Sequence, residues 1–156
     1  MAKPKKTPPD TIATNRRARF EYEILETFEA GIALLGPEVK SLRAGKANLA
    51  DAYAMVRRGE ATLMHLHISP YAQAGRENSD PRRDRRLLLH AREIRRLEGQ
   101  LAERGLTLIP LRLYWKEGRA KVELGLAKGK RSYDKRETIK RRDSEREMQR
   151  ATRSRR

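Results

Sequence analysis

The chain has 156 residues, with 37 Lys+Arg against 21 Asp+Glu, a formal net charge of +16 and a pI near 10.8. That length suits one domain with tails and excludes a large multidomain machine. So strong a positive charge calls for a polyanionic partner, nucleic acid ahead of an anionic membrane. Cysteine is absent, which excludes disulfides and thiolate metal sites and fits a reducing cytoplasm. No apolar run approaches the roughly 20 residues of a membrane span. The basic, Pro-rich opening MAKPKKTPPDT lacks the apolar stretch of a secretory signal. The expectation is a cytoplasmic protein without a membrane anchor.

Residues 1–19 carry six Lys/Arg and one acid, net +5. Residues 128–156 carry 13 Lys/Arg and five acids, net +8, leaving +3 for residues 20–127. Apolar residues divide the opposite way, with 49 of 58 in the 108 middle residues. The reading is a globular domain over 15–129, a disordered basic arm over 1–14 and a basic tail over 130–156. Both arms hold too little apolar surface to offset chain entropy and are expected to be disordered alone.

Phe20, Tyr22 and Ile24 alternate with Glu21 and Glu23 and continue to Phe28, which predicts a half-buried strand. A second short strand, 32–35, follows Gly31. Gly36-Pro37 opens a helix with Val39 and Leu42 on one face and Gly45 as its stop. Residues 51–57 and 61–68 predict a hairpin turning at Arg58-Gly59-Glu60. GRENSDPRRDRR at 75–86 reads as a loop. Leu87, Ala91, Ile94, Leu97 and Leu101 form a helical stripe over 87–104, capped by Gly105. Strands 106–115 and 119–126 follow, joined at Lys116-Glu117-Gly118, with Pro110 marking an edge or a bulge. The sum is a mainly β (α+β) domain of about six antiparallel strands with two to three helices. A small barrel, a sandwich and an open sheet all satisfy that pattern.

Catalytic and metal signals are weak. No P-loop, G-x-S-x-G or H-E-x-x-H occurs, and His65 and His67 read as polar strand positions. Most acids of the first strand read as solvated charges, but Glu29 sits at its end, placed to accept hydrogen bonds from a base or a neighbouring Arg. Cations cluster at Arg16-Arg17-Arg19, Lys40/Arg43/Lys46, Arg82-Arg83-Arg85-Arg86 and Lys128-Lys130-Arg131. Arg outnumbers Lys 26 to 11, which favours bidentate phosphate contacts and stacking on RNA bases. In the tail, Arg142, Arg146, Arg150 and Arg153 are spaced to form one cationic stripe on a helix. Their like charges oppose a free helix, so the stripe predicts a tail that folds along phosphates.

The strings NRRARFEYEI, FEAGIALLGPEVKSLRAGKANL, HISPY, DPRRDRRLLLH and GLAKGKRSYDKRE together resemble the small protein B family, the SsrA-binding proteins of bacteria. The resemblance covers roughly residues 15–145. It implies an antiparallel β-barrel of the oligonucleotide-binding type, and a monomer without enzyme activity, metal or cofactor. Such a protein would bind the tRNA-like domain of transfer-messenger RNA and deliver it to stalled ribosomes for trans-translation. Through that RNA it would meet alanyl-tRNA synthetase and elongation factor Tu. Its tail would probe the empty decoding centre and mRNA channel. By position, the resemblance assigns RNA binding to Asn15, Arg17, Tyr22, Glu29, Lys40, Arg43, Arg83, Arg85, Lys128, Lys130 and Arg131. It assigns ribosome sensing to Tyr133, Asp134, Lys135 and Arg136, with the stripe residues Arg142, Arg146 and Arg150 beside them. A structural ribosomal protein, or another basic RNA-binding protein, is the competing reading.

Overall fold

The computed structural model describes residues 10–102, 105–129, 142 and 146–148. Nine strands and three α-helices lie in the described residues between 10 and 129. In order they are β1 (Thr11–Thr14), α1 (Ala18–Glu21), β2 (Tyr22–Ile32), α2 (Gly36–Arg43), β3 (Ala47–Asn48), β4 (Tyr53–Arg57) and β5 (Glu60–Met64). Then follow β6 (His67–Ile68), a 3-10 turn (Ala72–Glu77), β7 (Arg85–Leu88), α3 (Ala91–Leu101), β8 (Leu106–Lys116) and β9 (Arg119–Gly129).

The strands close on themselves. β8 pairs with β4, β4 with β5, β5 with β7, β7 with β2, β2 with β9, and β9 returns to β8. Every pairing is antiparallel. Closure selects the barrel among the three architectures that the pattern allowed and leaves few unpaired edges. It is filled by Leu63, Leu66, Leu108, Leu113, Val122 and Leu124, each without exposed surface. α3 packs on β4 and β8 and inserts Leu97, also fully buried.

Several expectations need correction. Phe20 and Glu21 belong to α1, so the first strand starts at Tyr22. It runs without interruption to Ile32, because Gly31 meets Leu88 of β7 and a Cβ there would lie 3.2 Å from the Leu88 Cβ. Residues 33–35 are therefore outside any strand. Leu87 is not helical: Arg85–Leu88 form β7, with Leu87 inward and Leu88 out. Residues 11–14, assigned to the arm 1–14, form β1 on the edge of β8, with Ile12 packed against the core. β5 stops at Met64, and His65 takes a left-handed backbone (φ 59). His65 and His67 thus do not share one strand face. The helix at Gly36–Arg43, the β4–β5 hairpin and the β8–β9 hairpin stand where the sequence puts them. The bulge that Pro110 predicts lies between Pro110 and Arg112.

Candidate nucleic-acid interface

The first group of candidate residues gathers where β2 begins and β9 ends. The β8 bulge turns the carbonyls of Pro110 and Leu111 away from their ladder partners. Asn15 satisfies both: its backbone N–H donates to Leu111 O at 2.8 Å and its side-chain Nδ2 to Pro110 O at 3.1 Å. Asn15 is therefore a clamp between β1 and β8, with its Oδ1 and one Nδ2 hydrogen left for a ligand. The clamp sets the start of α1, where the Arg17 carbonyl accepts from the N–H groups of Phe20 and Glu21. Arg17 is exposed, and so is Lys128, which stands opposite Glu23 and Leu106 in the ladders. Tyr22 is half-buried against a small second cluster built on Ala18, Ile109, Leu111 and Ala127. A cleft of about 290 Å³ opens beside it.

The second group lies on α2 and the segment that packs beneath it. Lys40 and Arg43 are exposed in the last turns of α2, and the Lys40 ammonium sits 5.3 Å from the Tyr71 ring centroid. Beneath them is an ion cluster that the sequence did not reveal. Glu38 is 5% exposed and Arg85 not at all. Arg85 Nε donates to Glu38 Oε2 at 2.7 Å, and its Nη1 to the Leu66 carbonyl at 2.6 Å. Arg83 Nη2 donates to Glu38 Oε1 at 2.6 Å. The Leu35 N–H also donates to that oxygen, at 2.9 Å, capping α2. Burial acts to raise the Glu38 carboxyl, but the Arg83, Leu35 and Arg85 hydrogen bonds together outweigh it and hold the group below its ordinary value. The assignment of Arg85 to RNA contact is thus corrected: its guanidinium is spent inside the fold. Arg83, 27% exposed at its side chain, is largely spent as well.

Glu29 forms the third group. It lies within β2, not at a chain turn, and faces Glu123 across the ladder. The Tyr114 hydroxyl donates to its Oε2, and Lys116 Nζ donates to its Oε1 at 3.1 Å. These two hydrogen bonds, Tyr114 foremost, lower the Glu29 carboxyl from its usual range. Burial, then the Glu29 bond, push the Tyr114 phenol above its ordinary value, so it remains a donor. Arg112 lies 4.1 Å over the Tyr114 ring and donates to Thr11 Oγ1 at 2.9 Å. Glu29 therefore orders a polar web across β1, β8, β9 and β2, with 42% of its side chain still exposed. Its internal partners are a Tyr and a Lys, where the sequence suggested an Arg or a base.

In the tail, Arg142 and Arg146–Met148 are helical and exposed in the chain alone, where the sequence predicts a helix only along phosphates. The Arg142 guanidinium lies 5.5 Å over the Phe20 ring of α1. Lys130, Arg131, Tyr133, Asp134, Lys135, Arg136 and Arg150 fall outside the described residues. Arg17, Lys40, Arg43 and Lys128 have no ion pair among the described residues, so their charges are available to phosphate.

The chain is similar over most of its length to known proteins. A solved structure described as "tmRNA-SmpB: a journey to the center of the bacterial ribosome" is similar at a TM-score of 0.66 and 54% identity, covering 81% of this chain and 93% of that one. The SsrA-binding protein of Trichodesmium erythraeum (strain IMS101) is 61% identical over 141 residues, 90% of each chain. That of Desulforudis audaxviator (strain MP104C) is 59% identical over 146 residues, 94% of this chain and 95% of its own. The family model for the SmpB protein matches residues 12–154, from β1 through the tail, and the chain belongs to that family.

Proposed function

We propose that the chain binds the tRNA-like domain of transfer-messenger RNA and brings it to stalled ribosomes for trans-translation. The observation that carries this reading is the reach of the family match, which takes in barrel and tail together over residues 12–154. The exposed cations Arg17, Lys40, Arg43 and Lys128 support it, since phosphate contacts supply most of the affinity for RNA. Glu29 contributes by ordering the Tyr114–Lys116 web and by offering its exposed oxygen surface to base donors. The tail, net +8 over 128–156, reads the empty decoding centre and mRNA channel, with Tyr133 to Arg136 at the decoding end and Arg142, Arg146 and Arg150 along the channel. The protein does no chemistry itself. It presents the RNA to alanyl-tRNA synthetase and to elongation factor Tu, and it acts as a monomer in the cytoplasm.

Removing residues 132–156 separates the two roles. Gel-shift titration is expected to show transfer-messenger RNA binding nearly unchanged, while peptide tagging on ribosomes stalled without a stop codon is lost. A fall in free RNA affinity by orders of magnitude would contradict that division. A structural ribosomal protein would instead co-purify with all ribosomes and show no preference for this RNA over bulk tRNA.

A further inference from the structure

The cleft beside Tyr22 has a composition that the cationic surface does not explain. Its apolar lining comes from the buried residues Ala18, Ala52 and Ile109. Its walls include Tyr22 and Tyr53, both packed on the second cluster. Its polar groups include the Glu21 and Asp51 carboxylates and the Oδ1 of Asn15, which accept, beside the hydroxyls of Tyr22, Tyr53 and Thr107. Carboxylates repel phosphate, so this cleft does not hold backbone even though Arg16 and Arg17 are exposed beside it. Small apolar residues, two tyrosine rings and two carboxylates lining one cleft suit a flat, uncharged ligand whose edge is rich in donors.

Tyr53 is held for such a role. His65 stacks on its ring, with centroids 5.4 Å apart and planes at 26°. His65 reaches it from a left-handed backbone (φ 59), a conformation unfavourable for a non-glycine residue. Tyr53 lines the cleft and His65 does not. Asp51 is 71% exposed and pairs only loosely with Arg82, at 3.6 Å, leaving its oxygens usable and a cation nearby.

We propose that this cleft takes one unstacked RNA base, a guanine, against Tyr53, with the Asp51 carboxylate accepting from its N1–H and N2–H groups. Unpaired bases in RNA are recognised in this manner, by stacking on aromatic rings and hydrogen bonding along the Watson–Crick edge. Guanine places two donors side by side on that edge, and a carboxylate offers two acceptors at matching separation. Adenine and uracil each interrupt the donors with acceptors. The proposal rests on the RNA-binding reading above and names what one part of that surface reads. The guanine belongs either to transfer-messenger RNA or to ribosomal RNA, and the chemistry is the same for both.

The test uses the full chain and four pentanucleotides, UUGUU, UUAUU, UUUUU and the inosine form UUIUU, followed by amide chemical shifts. The guanine oligomer is expected to shift residues 50–53 and Thr107 and to bind about ten-fold tighter than the inosine form, which lacks the 2-amino group. Asp51→Asn is expected to erase that margin with no change in thermal midpoint, because the side chain is exposed. Tyr53→Ala weakens all four, and Tyr53→Phe restores them. Equal affinity of the wild type for all four oligomers, or a margin that survives Asp51→Asn, overturns the proposal. Titrating Asp51→Asn with transfer-messenger RNA and with small ribosomal subunits identifies the source by which affinity falls; a fall in neither also overturns it. Wild-type binding of transfer-messenger RNA without guanine preference sinks the subsite alone, whereas loss of that binding sinks the functional reading.

Discussion

Arg85 is one of four arginines among the five residues 82–86, and its guanidinium has no exposed surface. Its charge is tolerated because Glu38, the Leu66 carbonyl and the Pro81 carbonyl take up its donors. Replacing it by Ala strands a buried carboxylate on Arg83 alone. The expected loss is about 3–5 kcal/mol, read from urea denaturation. Arg83→Ala costs less, because Arg83 is partly solvated and Arg85 still neutralises Glu38. Glu38 also sets a pH dependence. Its folded carboxyl titrates below the unfolded value of 4.5, so its contribution is present above that value and is lost as pH falls through the folded one. The stability gap between the wild type and Glu38→Gln should be widest near neutrality and narrow on acidification below about pH 5. A gap that stays constant to pH 3 would show that Glu38 does not titrate in this window. Glu38 gains a positioning role from the same contacts, since it stands on the helix that presents Lys40 and Arg43.

Between elements, the tightest approach is where β8, β9 and β2 meet at Gly125. A Cβ there would lie 3.0 Å from Leu111 Cδ1 and 3.3 Å from Ile24 Cγ2. Gly125→Val is expected to cost about 1–3 kcal/mol, visible as a lowered midpoint in calorimetry, by forcing those side chains from their rotamers. The β8–β9 hairpin around it was legible in the sequence because alternation over Ala120–Leu126 coincides with burial and its turn is local. β7 was not legible. Leu87 stands four residues before Ala91, so one buried strand residue completes a helical stripe by coincidence, and only pairing to β5 and β2 shows otherwise. The interface was legible in part for the same reason. Exposed cations such as Lys40 and Lys128 look alike in sequence and in space. The burial of Arg85 depends on Glu38, 47 residues earlier, and charge carries no record of a partner so distant. The cleft residues Asp51 and Tyr53 escaped notice because the hairpin pattern had already explained them.

For the whole molecule, affinity for RNA should fall steeply with salt, and single substitutions should sort the cations by role. Removing a phosphate contact with Lys40→Ala is expected to reduce the slope of log affinity against log salt by about 0.7–0.9. Arg85→Met, which removes a cation that RNA cannot reach, should leave the slope unchanged even if stability shifts. A matching change in both slopes would mean that Arg85 is exposed in the complex. The ring topology also has a consequence in time. β1 needs Tyr114, 103 residues after Thr11, and β2 needs β9, which ends at Gly129. At about 5–20 residues per second of synthesis, the first strand waits roughly 5–20 s for its partner. Until then Phe28 and Ala30 lack their β9 partners Leu124 and Val122, and the pairings already available, β4–β5, β5–β7 and β7–β2, cannot close the ring. Nascent chains halted at residue 118 should therefore be digested readily by protease, and chains released at full length should resist. A protein whose proposed work begins at ribosomes that cannot finish is itself unable to close until its own translation is nearly complete.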